Sequence, residues 1–261
     1  MNPQTQESLT KFTTGGLSVV ISENRAEMGA RAGAHAAQAI QAVIERNGAA
    51  RIILASAPSQ NETLNVLLAS AVDWGRVTIF HMDEYLGLAA DHPQTFRAYQ
   101  RANVLSKIAP SAFHGIAGES ADALAECARY TALLQEAPID VCCLGIGENG
   151  HLAFNDPPVA NFADSALVKV VELDTECRQQ QVNDGCFPTF SAVPTHAITL
   201  TIPALMSARE LICSVPGPRK AAAVRATILD KITTACPATI LRLHKAAALY
   251  LDPDSAGSMC P

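Results

Sequence analysis

The sequence predicts an α/β fold, with a mostly parallel open sheet in a single domain and helices on both faces. Three observations predict it. Short apolar runs of strand length alternate with helix-like segments along the chain. Those runs are nearly continuous in apolar residues, as strands covered on both faces must be. The 261 residues are 49% hydrophobic and 17% charged, enough to bury a sizeable core.

The elements follow in order. Residues 1–16 are polar and end in the turn signal Gly15-Gly16; Leu17–Ser22 reads as a strand. Glu23–Arg46 is alanine-rich with helical spacing and stops at Asn47-Gly48, a C-terminal cap. Ala50–Ala55 is the next strand, Ser56–Asn61 a loop, Glu62–Ala71 a helix and Arg76–Met82 a strand. Helices are expected over Phe96–Ile108, Ala121–Glu136 and Arg219–Ile228. Strands are expected over Ile139–Gly145, Leu167–Leu173, Ala197–Ile202, Glu210–Val215 and Ala247–Leu251, all in the same sheet. No linker or internal repeat divides the chain, so one domain is expected over residues 1–261. Ligands of such sheets bind outside the carboxyl ends of the strands, which singles out the loops after residues 55, 82, 145 and 215.

Bulk composition excludes some functions. A net charge of −6 argues against a nucleic-acid partner, which needs a basic face to displace counterions. A small anion needs only a few local donors. No apolar stretch approaches a membrane span. The eight cysteines are scattered, without Cys-x-x-Cys, and no signal peptide is visible. A cytoplasmic protein with free thiols is expected. A homo-oligomer is compatible with all of this.

The richest segment is Gly145-Ile-Gly147-Glu148-Asn149-Gly150-His151-Leu-Ala-Phe-Asn155-Asp156-Pro157-Pro158. It matches G-x-G-x-x-G after a strand, and Glu172 and Asp174 lie where a ribose-binding acid could follow. The dinucleotide reading fails because it needs a long helix after the glycines, and Pro157 and Pro158 break one. The glycines, Gly147 among them, instead allow a sharp turn and close approach to a ligand. The loop presents Glu148, Asn149, His151, Asn155 and Asp156 at a strand end. A histidine there can both take and give a proton, and a neighbouring carboxylate would fix its tautomer.

The loop after residue 82 carries Asp83 and Glu84. Asp83 could remove a carbon-bound proton if burial or Glu84 raised its pKa; His81 belongs to the strand. No His-x-x-x-His, Cys-x-x-Cys or EF-hand pattern is present, so no metal is expected. A Gly-x-Ser-x-Gly elbow is also missing. Ser59, Gln60 and Asn61 open a helix and suit either an anion site or an ordinary N-cap. After Pro216-Gly217, Lys220 or Arg219 could supply the counter-charge of a phosphate.

These residues carry a resemblance. His81-Met-Asp-Glu-Tyr-Leu-Gly-Leu88 and Gly145 to Pro157 resemble the two signature segments of the glucosamine-6-phosphate deaminase/isomerase family. His92-Pro-Gln94, Gly217-x-x-Lys220-Ala and Cys236-Pro-Ala238 resemble it in the same order. The related 6-phosphogluconolactonases share the glycine–histidine core but usually not the Phe-Asn-acid-Pro ending. The resemblance implies a Rossmann-like fold of deaminase/isomerase type and a cofactor-free conversion of an amino-sugar 6-phosphate to a ketose 6-phosphate plus ammonia. It implies that His151 opens the pyranose ring and Asp83 moves a proton between C2 and C1. Asp156, Asn149 and Glu84 would assist, and Ser59, Gln60, Asn61, Gly147, Lys220 and Arg178 would bind the phosphorylated sugar. The family has Asp where this chain has Asn149, and Glu where it has Asp156. An apolar residue near Leu167 stands where the family carries an effector-binding arginine, so no such regulation is expected. Two alternatives stay open: a lactonase in which His151 activates water, and a non-catalytic sugar-phosphate sensor.

Overall fold

A computed structural model describes residues 10–259; residues 1–9 and 260–261 lie outside the described part. The strands are β1 (Thr10–Thr14), β2 (Leu17–Ile21), β3 (Ala50–Leu54), β4 (Val77–His81), β5 (Asp83–Tyr85), β6 (Ala112–His114), β7 (Val141–Leu144), β8 (Val168–Glu172), β9 (His196–Leu200), β10 (Glu210–Val215) and β11 (Ala247–Leu251). The helices are α1 (Arg25–Asn47), α2 (Asn61–Leu68), α3 (Phe96–Gln100), α4 (Ala123–Gln135), α5 (Thr175–Asn183), α6 (Ile202–Met206), α7 (Ala221–Leu229) and α8 (Pro253–Ala256).

Eight strands form the main sheet in the order β1-β2-β11-β10-β7-β3-β4-β6, parallel throughout except for the β1–β2 hairpin. Its six inner strands are buried on both faces, while the edge strands β1 and β6 are half-buried or exposed, and a separate apolar cluster packs on each side. The expected α/β architecture is therefore present. The Asn47-Gly48 stop is also as expected: Gly48 caps α1 at φ +81°, donating its N–H to Ile44 O.

Two expectations are corrected. The runs at 167–173 and 197–202 do not join the parallel sheet; β8 and β9 pair antiparallel with β5 in a second, three-stranded sheet. β8 is less buried than the inner strands of the main sheet, with Lys169 and Val170 half-buried and Glu172 exposed, as antiparallel sheets allow. The helix expected over 96–108 is α for only five residues and continues as a π turn at Arg101–Leu105. Gln100, at that junction, is buried and donates from Nε2 to Ser56 Oγ at 2.9 Å, tying the π turn to the end of β3.

Two features of this topology place the site. The chain leaves β3 for β4 on one side of the sheet, whereas β7 later leads to β10 on the other. The loops after β3 and β7 therefore diverge at a topological switch point, which opens a crevice at the carboxyl edge. One residue, Met82, separates β4 from β5, so the backbone passes directly from one sheet to the other at Asp83. An aromatic cluster of Tyr85, Phe96, Phe154 and Phe187 packs beside that crossing.

Candidate active site

A cavity of about 80 Å³ lies in that crevice. The loop after β3 lines it with Ser56, Ser59 and Gln60, and the β4–β5 crossing with Met82 and Asp83. The loop after β7 contributes Gly145, Gly147 and His151; Lys220 comes from the turn after β10. The four loops singled out by the sheet rule therefore meet at one place. Gln180, Gln181 and Asp184, around the end of α5, complete the wall.

His151 is held from behind. Its Nδ1–H donates to Asn149 Oδ1 at 2.8 Å and to Asp156 Oδ1 at 2.9 Å. Both partners on that side are acceptors, so the hydrogen-bond network assigns the proton to Nδ1. Nε2 has no protein partner, is not sealed from solvent, and is left for the cavity. Asp156 is fully buried. Burial pushes its carboxyl up, but hydrogen bonds from His151 and Asn149, the His151 charge and the Asp174 N–H outweigh that and hold it below the ordinary range. Asn149 also donates from Nδ2 to Asp156 Oδ1 at 3.0 Å and to Asp174 Oδ2 at 3.4 Å. The carboxylate partner of His151 is thus Asp156, with a neutral amide bridging it to Asp174. Glu148 does not take that part: it ion-pairs with Arg219 at 3.3 Å.

Gly147 makes room for this arrangement. A Cβ on it would fall 2.2–2.3 Å from three atoms of the His151 ring, so it gives the imidazole its space. Gly145 does the same for the Gln60 amide, with a Cβ 2.9 Å from Nε2. Ala153, on the cavity wall, sits at φ +50°, a conformation that costs a non-glycine residue about 1–3 kcal/mol. Asn155 pins this turn by donating to Leu152 O and Leu200 O, both at 2.8 Å.

Asp83 is buried, its carboxylate has no hydrogen-bond partner among the described residues, and it opens on the same cavity. Burial, and then the charge of Glu84, push its pKa well above the ordinary carboxylate value. Glu84 itself points away from the cavity. It accepts N–H bonds from Tyr85 (3.0 Å), Phe96 (2.9 Å) and Arg97 (2.9 Å), capping the start of α3. Burial outweighs those bonds and raises its pKa to about 7. His81 is a strand residue as expected: its Nε2 accepts from Ile116 N–H at 2.8 Å, and burial lowers its pKa to about 3.

The phosphate candidates divide. Ser59 and Gln60 line the cavity, but both ends of the Gln60 amide are tied to Ser214 (Nε2 to O, 3.1 Å; Oε1 from Oγ, 3.0 Å). Lys220 is buried on the wall without an ion pair among the described residues, and burial lowers its pKa to about 8 against the opposing pull of Asp184 and Glu148. Two candidates are displaced. Asn61 is the first residue of α2 and accepts from Tyr99 OH at 2.6 Å, off the cavity wall. Arg178 faces the other way, donating to Phe190 O (3.0 Å) and Val193 O (2.8 Å) while its guanidinium stacks 4.1 Å over the Phe190 ring.

The sequence reading missed α5 altogether. Its Gln179-Gln-Gln181 run has no apolar stripe; the only signal was Asp174 before Thr175-Glu176, an N-cap pattern. Asp174 does cap α5. A further grouping is His151, Asp156 and Cys177, whose ligand-type atoms lie within 4.8 Å of one another. The 2.9 Å separation of Nδ1 and Asp156 Oδ1 is that of a hydrogen bond, which already engages both atoms.

The fold and this cavity define an α/β protein with a histidine–carboxylate pair, a second buried acid and a lysine around one small-molecule crevice. Residues 23–250 match the family described as glucosamine-6-phosphate isomerases/6-phosphogluconolactonase, and the chain belongs to that family. It is 40% identical over 199 residues to a glucosamine-6-phosphate deaminase of Listeria innocua serovar 6a, covering 76% of this chain and 83% of that one. It is 37% identical over 190 residues to a glucosamine-6-phosphate deaminase of an Exiguobacterium species (73% and 72% covered). A solved monomeric glucosamine-6-phosphate deaminase superposes with a TM-score of 0.84 at 28% identity, over 91% of this chain and 98% of that one. A 6-phosphogluconolactonase from Shewanella baltica superposes with a TM-score of 0.73 at 18% identity, over 94% and 99%, and shares the fold. No helix among the described residues is long and apolar enough to cross a membrane.

Proposed function

We propose that the protein is a glucosamine-6-phosphate deaminase, converting the amino-sugar phosphate and water to fructose 6-phosphate and ammonia. One observation carries the reading: His151 and Asp83 open on the same cavity, and His151 has a buried carboxylate at its back. The relatives of deaminase name support the reaction class.

His151 takes a proton on Nε2 and becomes an imidazolium, which the ionised Asp156 stabilises through Nδ1–H. It passes the Nε2 proton to the ring oxygen as the pyranose opens. Asp83, which burial makes a stronger base than an ordinary carboxylate, removes the proton from C2 and returns it to C1. The C2–N bond becomes an imine, which adds water and releases ammonia. Lys220 and the Ser59 hydroxyl hold the phosphate and fix C1 and C2 between the two groups. Gly147 and Asn149 position the imidazole. Glu84 acts at one remove, through its charge beside Asp83 and its hold on α3.

The test is to incubate the protein with glucosamine 6-phosphate and follow ammonia and fructose 6-phosphate, with 6-phosphogluconolactone hydrolysis in parallel. Production of both products is expected. Lactone hydrolysis without ammonia would replace this reading with the lactonase, and phosphosugar binding without either turnover would replace it with a sensor.

A further inference from the structure

We propose that Arg219 is a second phosphate ligand of the site, held off the cavity by Asp184, and that the incoming phosphate displaces the Asp184 carboxylate. This rests on the sugar-phosphate reading above.

The first observation is space. The cavity holds about 80 Å³, well under the ~300 Å³ at the small end of ligand sites. A neighbouring groove of about 310 Å³ runs past Arg219. Pro58, Ser59, Asp184 and Lys220 belong to the walls of both, so the two spaces are immediate neighbours. Asp184 also borders a third cavity of about 300 Å³. With Pro58, it is common to the walls of all three.

The second observation is charge. Asp184 Oδ1 accepts from Arg219 Nη2 at 2.5 Å, while Oδ2 is held only by Gln180 Nε2 at 3.4 Å. The same carboxylate acts electrostatically on Lys220. An anionic group of the protein therefore stands between the cavity lysine and the groove arginine. A sugar phosphate bears nearly two negative charges and three acceptor oxygens, and it outcompetes a single carboxylate for those donors. Left in place, Asp184 would instead repel the phosphate it faces.

The third observation is freedom to move. Asp184 is the C-cap of α5 and is followed by Gly185 at φ +74°, where an added Cβ would meet nothing within 4 Å. The Arg219 side chain is about half exposed, with Glu148 at 3.3 Å as its other partner. Swinging Asp184 outward joins cavity and groove. It also brings Arg219, Lys220 and Ser59 to one continuous wall. Arg25, on the far side of the groove, keeps its own bidentate partner in Glu62 and is not recruited.

The test is a double-mutant cycle on the full chain. Inorganic phosphate and glucose 6-phosphate are titrated calorimetrically into wild type, Asp184→Asn, Arg219→Gln and the double variant, each checked for native circular dichroism. Asp184→Asn is expected to tighten phosphate binding and Arg219→Gln to weaken it, each by about tenfold. The Asp184→Asn gain is expected to be clearly smaller in the Arg219→Gln background, where only the repulsion between Asp184 and the phosphate is relieved. Unchanged affinity in either single variant, an equal gain in both backgrounds, or no phosphate binding by the wild type would overturn the proposal. Glucosamine 6-phosphate turnover by the same four proteins separates the two claims. Turnover with a flat cycle removes the latch and keeps the deaminase; the expected cycle without turnover does the reverse.

Discussion

His151 Nδ1 lies 2.9 Å from Asp156 Oδ1, and that contact sets the tautomer that leaves Nε2 for chemistry. Asp156→Asn keeps the shape and removes the charge that stabilises an imidazolium. We expect kcat/KM to fall by about a hundredfold or more. The folded-state pKa of Asp156 is lowered, so its ionisation stabilises the fold above the unfolded-state pKa and that gain is lost as pH falls through the folded value. Chemical denaturation should therefore show wild type more stable than Asp156→Asn at pH 7, with the gap closing in acid. A gap independent of pH would contradict this.

Asp83 has the opposite sign. Its folded-state pKa is raised by burial and by Glu84, so its contribution to stability is full below the unfolded-state pKa and is lost as pH rises. Asp83→Asn should abolish turnover while raising Tm by a few degrees at pH 8 and hardly at all at pH 4. Equal Tm changes at both pH values would show that the Asp83 charge is not strained in the fold.

Lys220 gives a binding signature. With its pKa lowered to about 8, it begins to lose its charge above that pH, whereas the phosphate becomes a dianion above about pH 6. Phosphate affinity should peak between these limits and fall on the alkaline side. Lys220→Met should weaken binding and remove the alkaline fall. Calorimetric Kd values from pH 6 to 9.5 measure both.

Gly147→Ala asks whether imidazole placement matters. The new Cβ meets the ring at 2.2–2.3 Å, so the ring must shift. Overpacking of this kind costs about 1–3 kcal/mol of stability. A shifted acid–base group should also lower kcat by more than about tenfold with little change in KM. Native kinetics would mean that the loop yields elsewhere and the glycine is only permissive.

The six inner strands of the main sheet were legible because they are buried on both faces and read as unbroken apolar runs, Ile52-Ile-Leu54 and Val141-Cys-Cys-Leu144 among them; the edge strands β1 and β6 are not buried and gave no such run. The second sheet was not, because its three-residue strand Asp83–Tyr85 follows β4 after one residue and leaves no boundary signal. His151 and Asp83 were legible as chemistry-bearing residues at strand ends. Glu84 raises the pKa of Asp83 as the sequence suggested, but it lines no part of the cavity, because alternation along a strand sends two adjacent side chains to opposite faces. Arg178 was misread because α5 lacks the periodicity that would have shown which way it faces. Asp184 and Arg219 meet across 35 positions of sequence, and nothing local in either segment announces that contact.

The most direct measurement is the yield of ammonia and fructose 6-phosphate from glucosamine 6-phosphate with wild type and His151→Ala at equal concentration. The account predicts both products in a one-to-one ratio from the wild type and a rate lower by at least about a hundredfold in the variant, with its fold intact. Wild-type rates in His151→Ala, or no ammonia from a folded, phosphate-binding wild type, would contradict it.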